Sequence, residues 1–188
     1  MPGECLVGRA EDFRCFFAEQ RFPFVQTPTF VLNSAMDYFQ TSCILAGRVR
    51  SSGCVPIPGW EACRLNLNNC SDQQMSQMIA FERDFITAFR KSAERAIATS
   101  GAFLYSCHNH VAGDSELFNR VAVAGQTMSD ALREWWADSA GAAREHSNTK
   151  TALVNSFADP CVWYPSGAER RCNPTCYRQG LDSNGGTF

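Results

Sequence analysis

Apolar positions recur along the chain with two different periods, and the switches between them divide it into elements. Pro28-Thr29-Phe30-Val31-Leu32-Asn33 is a short β-branched and apolar run opened by a proline, the pattern of a strand buried on both faces. It runs into a polar loop, Asn33-Ser34-Ala35-Met36-Asp37, that carries a carboxylate. Met75, Met78, Ile79, Phe85, Ile86 and Phe89 recur at intervals near 3.6, behind Ser71 and Gln74 at capping-box spacing, which predicts a helix from Ser71 to about Thr99. Gly101 stops that helix, and Ala102-Phe103-Leu104-Tyr105 forms a second short strand ending in Ser106-Cys107-His108-Asn109-His110. A second helix is expected to start near Thr127, with Asp130 three residues on, and to present Met128, Ala131, Leu132, Trp135 and Trp136. Adjacent tryptophans on a helix point about 100 degrees apart, so one belongs to the core and the other to an interface or groove. Met75 and Met78 read as packing.

Between these elements the pattern weakens. Residues 1–27 are irregular and aromatic, a segment lying against something else. Residues 41–70 hold Cys43, Cys54, Cys63 and Cys70 among glycines and prolines, as a cross-linked surface excursion would. The tail over about 159–188 carries Cys161, Cys172 and Cys176 and ends in Gly, Asn and Ser.

Seventeen Lys and Arg against nineteen Asp and Glu are spread without a charged tail, so a nucleic-acid partner is not expected. No apolar run is long enough to span a membrane as a helix. Ten cysteines without zinc-type spacing point to disulfides and a secretory compartment, although Met-Pro-Gly-Glu-Cys does not open a signal peptide. Those two readings are reconciled if the chain is the C-terminal part of a longer secreted protein.

The two strands share a plan: a short apolar run, then a polar loop with one titratable group, first Asp37 and then His110. An acid and a histidine at the carboxyl ends of neighbouring parallel strands is how a doubly wound sheet assembles a hydrolytic site, and the order Asp then His is that of α/β-hydrolases, in which a nucleophilic serine precedes both. No Gly-x-Ser-x-Gly elbow exists in the chain; Ser34, Ser100 and Ser106 lack the flanking glycines. On pattern alone a surface Asp and a loop His remain the alternative. His108, His110 and His146 are not expected to form a zinc set, since alternation along a strand would place the first two on opposite faces. No metal and no cofactor is expected. Asn69-Cys70-Ser71 fits a glycosylation acceptor, with Cys70, a disulfide candidate just before a helix cap, arguing against its use.

Several stretches together resemble the pectin acetylesterase family, which includes the palmitoleoyl-protein carboxylesterase Notum: Cys15-Phe16-Phe17, the run from Gln26 to Gln40, Trp60 with Cys63 and Cys70, Ser106-Cys107 with His110, and Cys172-Asn173-Pro174-Thr175-Cys176. The resemblance implies Asp37 as triad acid, His110 as general base, and Cys107, Cys161, Cys172 and Cys176 in the disulfide framework, with Cys15, Cys63 and Cys70 as further disulfide candidates. It implies an incomplete α/β-hydrolase-like doubly wound sheet over residues 1–188, the C-terminal portion of one esterase domain whose missing N-terminal half holds the serine elbow and oxyanion loop. The expected substrate is an acetylated polysaccharide or other ester, acted on outside the cell or in the cell wall. Two alternatives stay open: a non-catalytic secreted cysteine-rich binding or structural module, and a Notum-like lipid-ester hydrolase. This chain alone is expected to be inactive, and to expose sheet edge and apolar surface that make it unstable and associating.

Overall fold

The computed structural model of the chain describes residues 5, 13–96, 100–111, 113, 116–142 and 173–176. Its strands are β1 (Phe30–Ser34), β2 (Gly47–Arg50), β3 (Gly53–Pro56), β4 (Gly101–Tyr105), β5 (Ala122–Val123) and β6 (Gln126–Thr127); its two long helices are α1 (Asp72–Ala93) and α2 (Met128–Ala142). Among the described residues the strands form three two-stranded sheets, of which β1 with β4 is parallel and the two hairpins β2–β3 and β5–β6 are antiparallel. This mixed arrangement is consistent with part of an α/β fold. A doubly wound sheet needs more parallel strands than the described residues contain.

The parallel pair positions the site. Phe30 to Ser34 lie opposite Gly101 to Tyr105 in unbroken register, so the chain leaves both strands at the same end, after Ser34 and after Tyr105. β4 is buried along its whole length, whereas β1 is half-buried from Phe30 to Asn33. That differs from the expectation of a strand buried on both faces, because among the described residues β1 has β4 as its sole strand neighbour.

α1 begins where its cap predicts. The Ser71 hydroxyl accepts from the Gln74 amide while the Gln74 side chain accepts from the Ser71 amide, so both orphan donors are satisfied. The helix stops at Ala93, short of the expected end near Thr99, where Arg95 and Ala96 donate to Ser92 and Ala93 in tighter turns and the Ser92 hydroxyl donates to the Glu19 carbonyl at 2.8 Å. That bond and the stacking of Phe22 on Phe89, with centroids 5.9 Å apart, show what the N-terminal segment lies against. α2 is capped at Thr127, whose hydroxyl accepts from the Asp130 amide and donates to the Asp130 carboxylate, holding that carboxyl below its usual range. Of the adjacent tryptophans, Trp135 is 9% exposed and Trp136 68%. The β5–β6 turn places Ala124 and Gly125 at φ 51° and 82°, the left-handed pair that a two-residue hairpin of this hand requires.

The described residues form two hydrophobic cores. One joins Met36, Ala46, Trp60, Cys63, Leu67, Cys70, Met75 and Met78, so the 41–70 segment packs inward against α1 as well as being cross-linked. The other joins Phe103, Tyr105, Cys107, Val121, Val123, Met128 and Ala131. Disulfides pair Cys5 with Cys15, Cys43 with Cys54, Cys63 with Cys70, and Cys107 with Cys176. Cys161 and Cys172, together with most of the tail over 159–188, lie outside the described residues. No helix among the described residues is long and apolar enough to cross a membrane.

Candidate functional site

The loops leaving β1 and β4 are stitched together residue by residue. The Ala35 amide donates to the Tyr105 carbonyl at 2.7 Å, continuing the ladder by one rung. The buried Ser34 hydroxyl then donates to the Cys107 carbonyl at 2.5 Å and accepts from the Met36 amide at 3.1 Å. The Tyr38 amide donates to the Asn109 carbonyl at 3.0 Å. These bonds tie the two loops together, so Asp37 and His110, 73 positions apart, emerge side by side.

Asp37 ends the first loop as the cap of the helical turn Tyr38–Gln40, its Oδ1 accepting from the Gln40 amide at 2.9 Å. That leaves Oδ2, which accepts from His110 Nδ1 at 2.6 Å. An ionised carboxylate is acceptor-only, so Nδ1 carries the proton in this bond. The carboxylate is 6% exposed and the imidazole 42%, so the first is enclosed and the second is open to solvent. Phe39 packs beside the His110 ring with centroids 5.9 Å apart. Val111, the next residue, is held at φ 55°, a left-handed conformation that costs a β-branched residue about 1–2 kcal/mol.

The second imidazole of the loop faces elsewhere. His108 Nε2 lies 3.0 Å from the Thr41 hydroxyl and its ring sits 5.2 Å from that of Tyr38. Burial pushes its pKa down from 6.5 to about 4, against the opposing pull of the Asp37 carboxylate. His108 and His110 therefore meet different partners, and His146, the third residue of the zinc set weighed from sequence, lies outside the described residues. Among the described residues no cluster of three or more His, Cys, Asp or Glu could hold a metal ion. The loop after β4 is anchored from behind by the Cys107–Cys176 disulfide, and the strap around it is fixed by Asn173 donating to the Ala122 carbonyl at 2.9 Å and the Thr175 hydroxyl accepting from the Ala122 amide at 2.9 Å. Asn69 is exposed, while Cys70 is in a disulfide and Ser71 serves as the cap of α1.

Sequence reasoning missed Ser34 as a bridge and His108 as a partner of Thr41. Both lie within the stretches it singled out, but hydrogen bonds across 73 and 67 positions leave no periodic trace.

Fold and site together define a mixed α/β chain in which a buried carboxylate orients an accessible imidazole, the arrangement used for general-base chemistry. A family model described as Pectinacetylesterase matches residues 1–164. The chain belongs to the pectinacetylesterase family. It is 27% identical over 180 residues to pectin acetylesterase 11 of Arabidopsis thaliana, covering 94% of this chain and 39% of that protein. It is 34% identical over 115 residues to pectin acetylesterase 7 of the same plant, covering 61% and 28%, and 22% identical over 179 residues to pectin acetylesterase 5, covering 93% and 36%. The chain thus spans about two fifths or less of the length of these curated relatives. No solved structure matches it significantly.

Proposed function

We propose that this chain carries the acid and base of a serine carboxylesterase of the α/β-hydrolase type, which removes acetyl groups from O-acetylated pectin or a related polysaccharide, and that the nucleophilic serine lies outside these 188 residues. The observation that carries this reading is the 2.6 Å bond between His110 Nδ1 and Asp37 Oδ2 at the carboxyl ends of two parallel strands, with the base open to solvent. The names of the relatives supply the ester class, and the disulfides fit work in an oxidising, extracellular setting.

In this mechanism His110 Nε2 takes the serine hydroxyl proton as the oxygen attacks the ester carbonyl, then gives it to the departing sugar alcohol, leaving an acetyl-enzyme. Water, activated by the same nitrogen, releases acetate and restores the serine. Asp37 keeps the imidazole in the Nδ1–H form and stabilises the imidazolium that forms at each transfer.

The test begins with the reading frame upstream, where the account expects a Gly-x-Ser-x-Gly segment. In the full-length protein, His110→Ala is expected to lower turnover of an acetyl ester by about 10⁶, and near-normal turnover would remove His110 from the mechanism. Ester turnover by the 188 residues alone, abolished by replacing one of their own serines, would overturn the assignment. Faster turnover of long-chain than of acetyl esters would redirect it to lipid substrates.

A further inference from the structure

His108 takes no part in the acid–base pair, yet it is built into the same turn. The fully buried Thr41 hydroxyl lies 2.9 Å from the Asp37 carbonyl, 3.2 Å from the Tyr38 carbonyl and 3.0 Å from His108 Nε2. Both carbonyls can only accept, and the hydroxyl can give its one proton either to one of them or to His108. With that proton on the main chain, His108 Nε2 is the donor. The path His108 Nε2–H to Thr41 Oγ1–H to the Asp37 carbonyl ends on the main chain of the residue whose side chain holds His110. Because His108 and His110 sit on one loop, the path closes a ring: Asp37 carboxylate, His110, backbone, His108, Thr41, Asp37 carbonyl.

We infer that His108 is a positioning residue for the Asp37–His110 pair, donating from Nε2 to Thr41 and so fixing the Asp37 turn against the loop that carries His110. The burial that keeps this imidazole uncharged agrees with that role, since a second cation beside Asp37 would compete with His110 for the carboxylate. The geometric part stands alone; its kinetic consequence rests on the esterase reading.

Two arms separate these. In the full-length protein with ¹⁵N-labelled histidine, long-range ¹H–¹⁵N spectra at neutral pH should show His108 as the Nε2–H tautomer. His108→Phe, which keeps a ring without the donor, and Thr41→Val should both speed solvent exchange of the His110 Nδ1 proton, whereas His108→Gln and Thr41→Ser, which retain the donor and the hydroxyl, should largely preserve it. In the full-length protein, His108→Phe should lower kcat on an acetyl ester by about tenfold with KM nearly unchanged, His108→Gln should recover most of that loss, and the double variant with Thr41→Val should be no worse than either single change. An Nδ1–H tautomer at His108, or unchanged His110 exchange in both Phe and Val variants, would overturn the inference. Should His108→Phe fail to fold, Thr41→Val compared with Thr41→Ser decides the same point. If the wild type shows no turnover, the esterase reading fails while the spectra still decide the role of His108.

Discussion

Replacing Asp37 by Asn isolates what the carboxylate does. The shapes match, and the amide oxygen can still accept from the Gln40 amide, so the cap of the helical turn survives. Toward His110 the chemistry reverses, because an NH₂ group stands where Oδ2 accepted from Nδ1. The imidazole must then present an unprotonated Nδ1 and carry its proton on Nε2, the wrong tautomer for a base. A hydrogen bond to a charged group contributes about 1.5–3 kcal/mol net, and with the imidazole side chain 42% exposed, water replaces part of it, so a stability loss of about 1–2 kcal/mol is expected. The kinetic cost is larger: the same change in a Ser-His-Asp triad lowers kcat by about 10⁴, or about 5 kcal/mol. The signature is a small shift in urea unfolding beside a large fall in kcat, both measured in the full-length protein. A kcat within tenfold of wild type, or a stability loss larger than the kinetic one, would refute the reasoning.

Three other perturbations test the frame around the pair. Removing the Cys107–Cys176 disulfide by paired Ser substitutions opens a loop with a sequence separation of 69 and should lower stability by about 4 kcal/mol, against about 2 kcal/mol for Cys63–Cys70 with a separation of 7, both read from urea midpoints. Because the folded pKa of His108 is about 4 and its unfolded value 6.5, the unfolded chain binds the extra proton between those values; stability should therefore fall as pH drops from 6.5 towards 4, by up to about 3 kcal/mol, and His108→Gln should flatten that slope. Gly101→Ala would set a Cβ 2.6 Å from Trp135 Cδ1 and 2.8 Å from Phe30 Cδ2 at the start of β4, and should cost about 1–3 kcal/mol in thermal or urea unfolding; a neutral effect would show that α2 can slide from the sheet.

What the sequence made legible follows from what each signal depends on. β1, β4, α1 and α2 show in it because periodicity, caps and the two strand-to-loop transitions are local, and Asp37 and His110 stand out because each is the titratable group of such a loop. The inward packing of the 41–70 segment did not show, since Trp60, Cys63 and Leu67 meet Met75 and Met78 without any shared period. The end of α1 was overestimated because Ala93 to Ala96 remain helix-favouring by composition, while the bond from Ser92 to Glu19 is a contact with a distant part of the chain. The same limit hid Ser34 and His108: each is an ordinary polar residue until the opposite loop is in place.

The central claim is that Asp37 orients His110, and the protonation of that imidazole measures it directly. Long-range ¹H–¹⁵N spectra of the histidine-labelled full-length protein at neutral pH should show His110 as the Nδ1–H tautomer with a strongly deshielded proton, opposite to the Nε2–H form at His108, and that signal should vanish in Asp37→Asn. An Nε2–H tautomer at His110 in the wild type, or a spectrum that Asp37→Asn leaves unchanged, would contradict it.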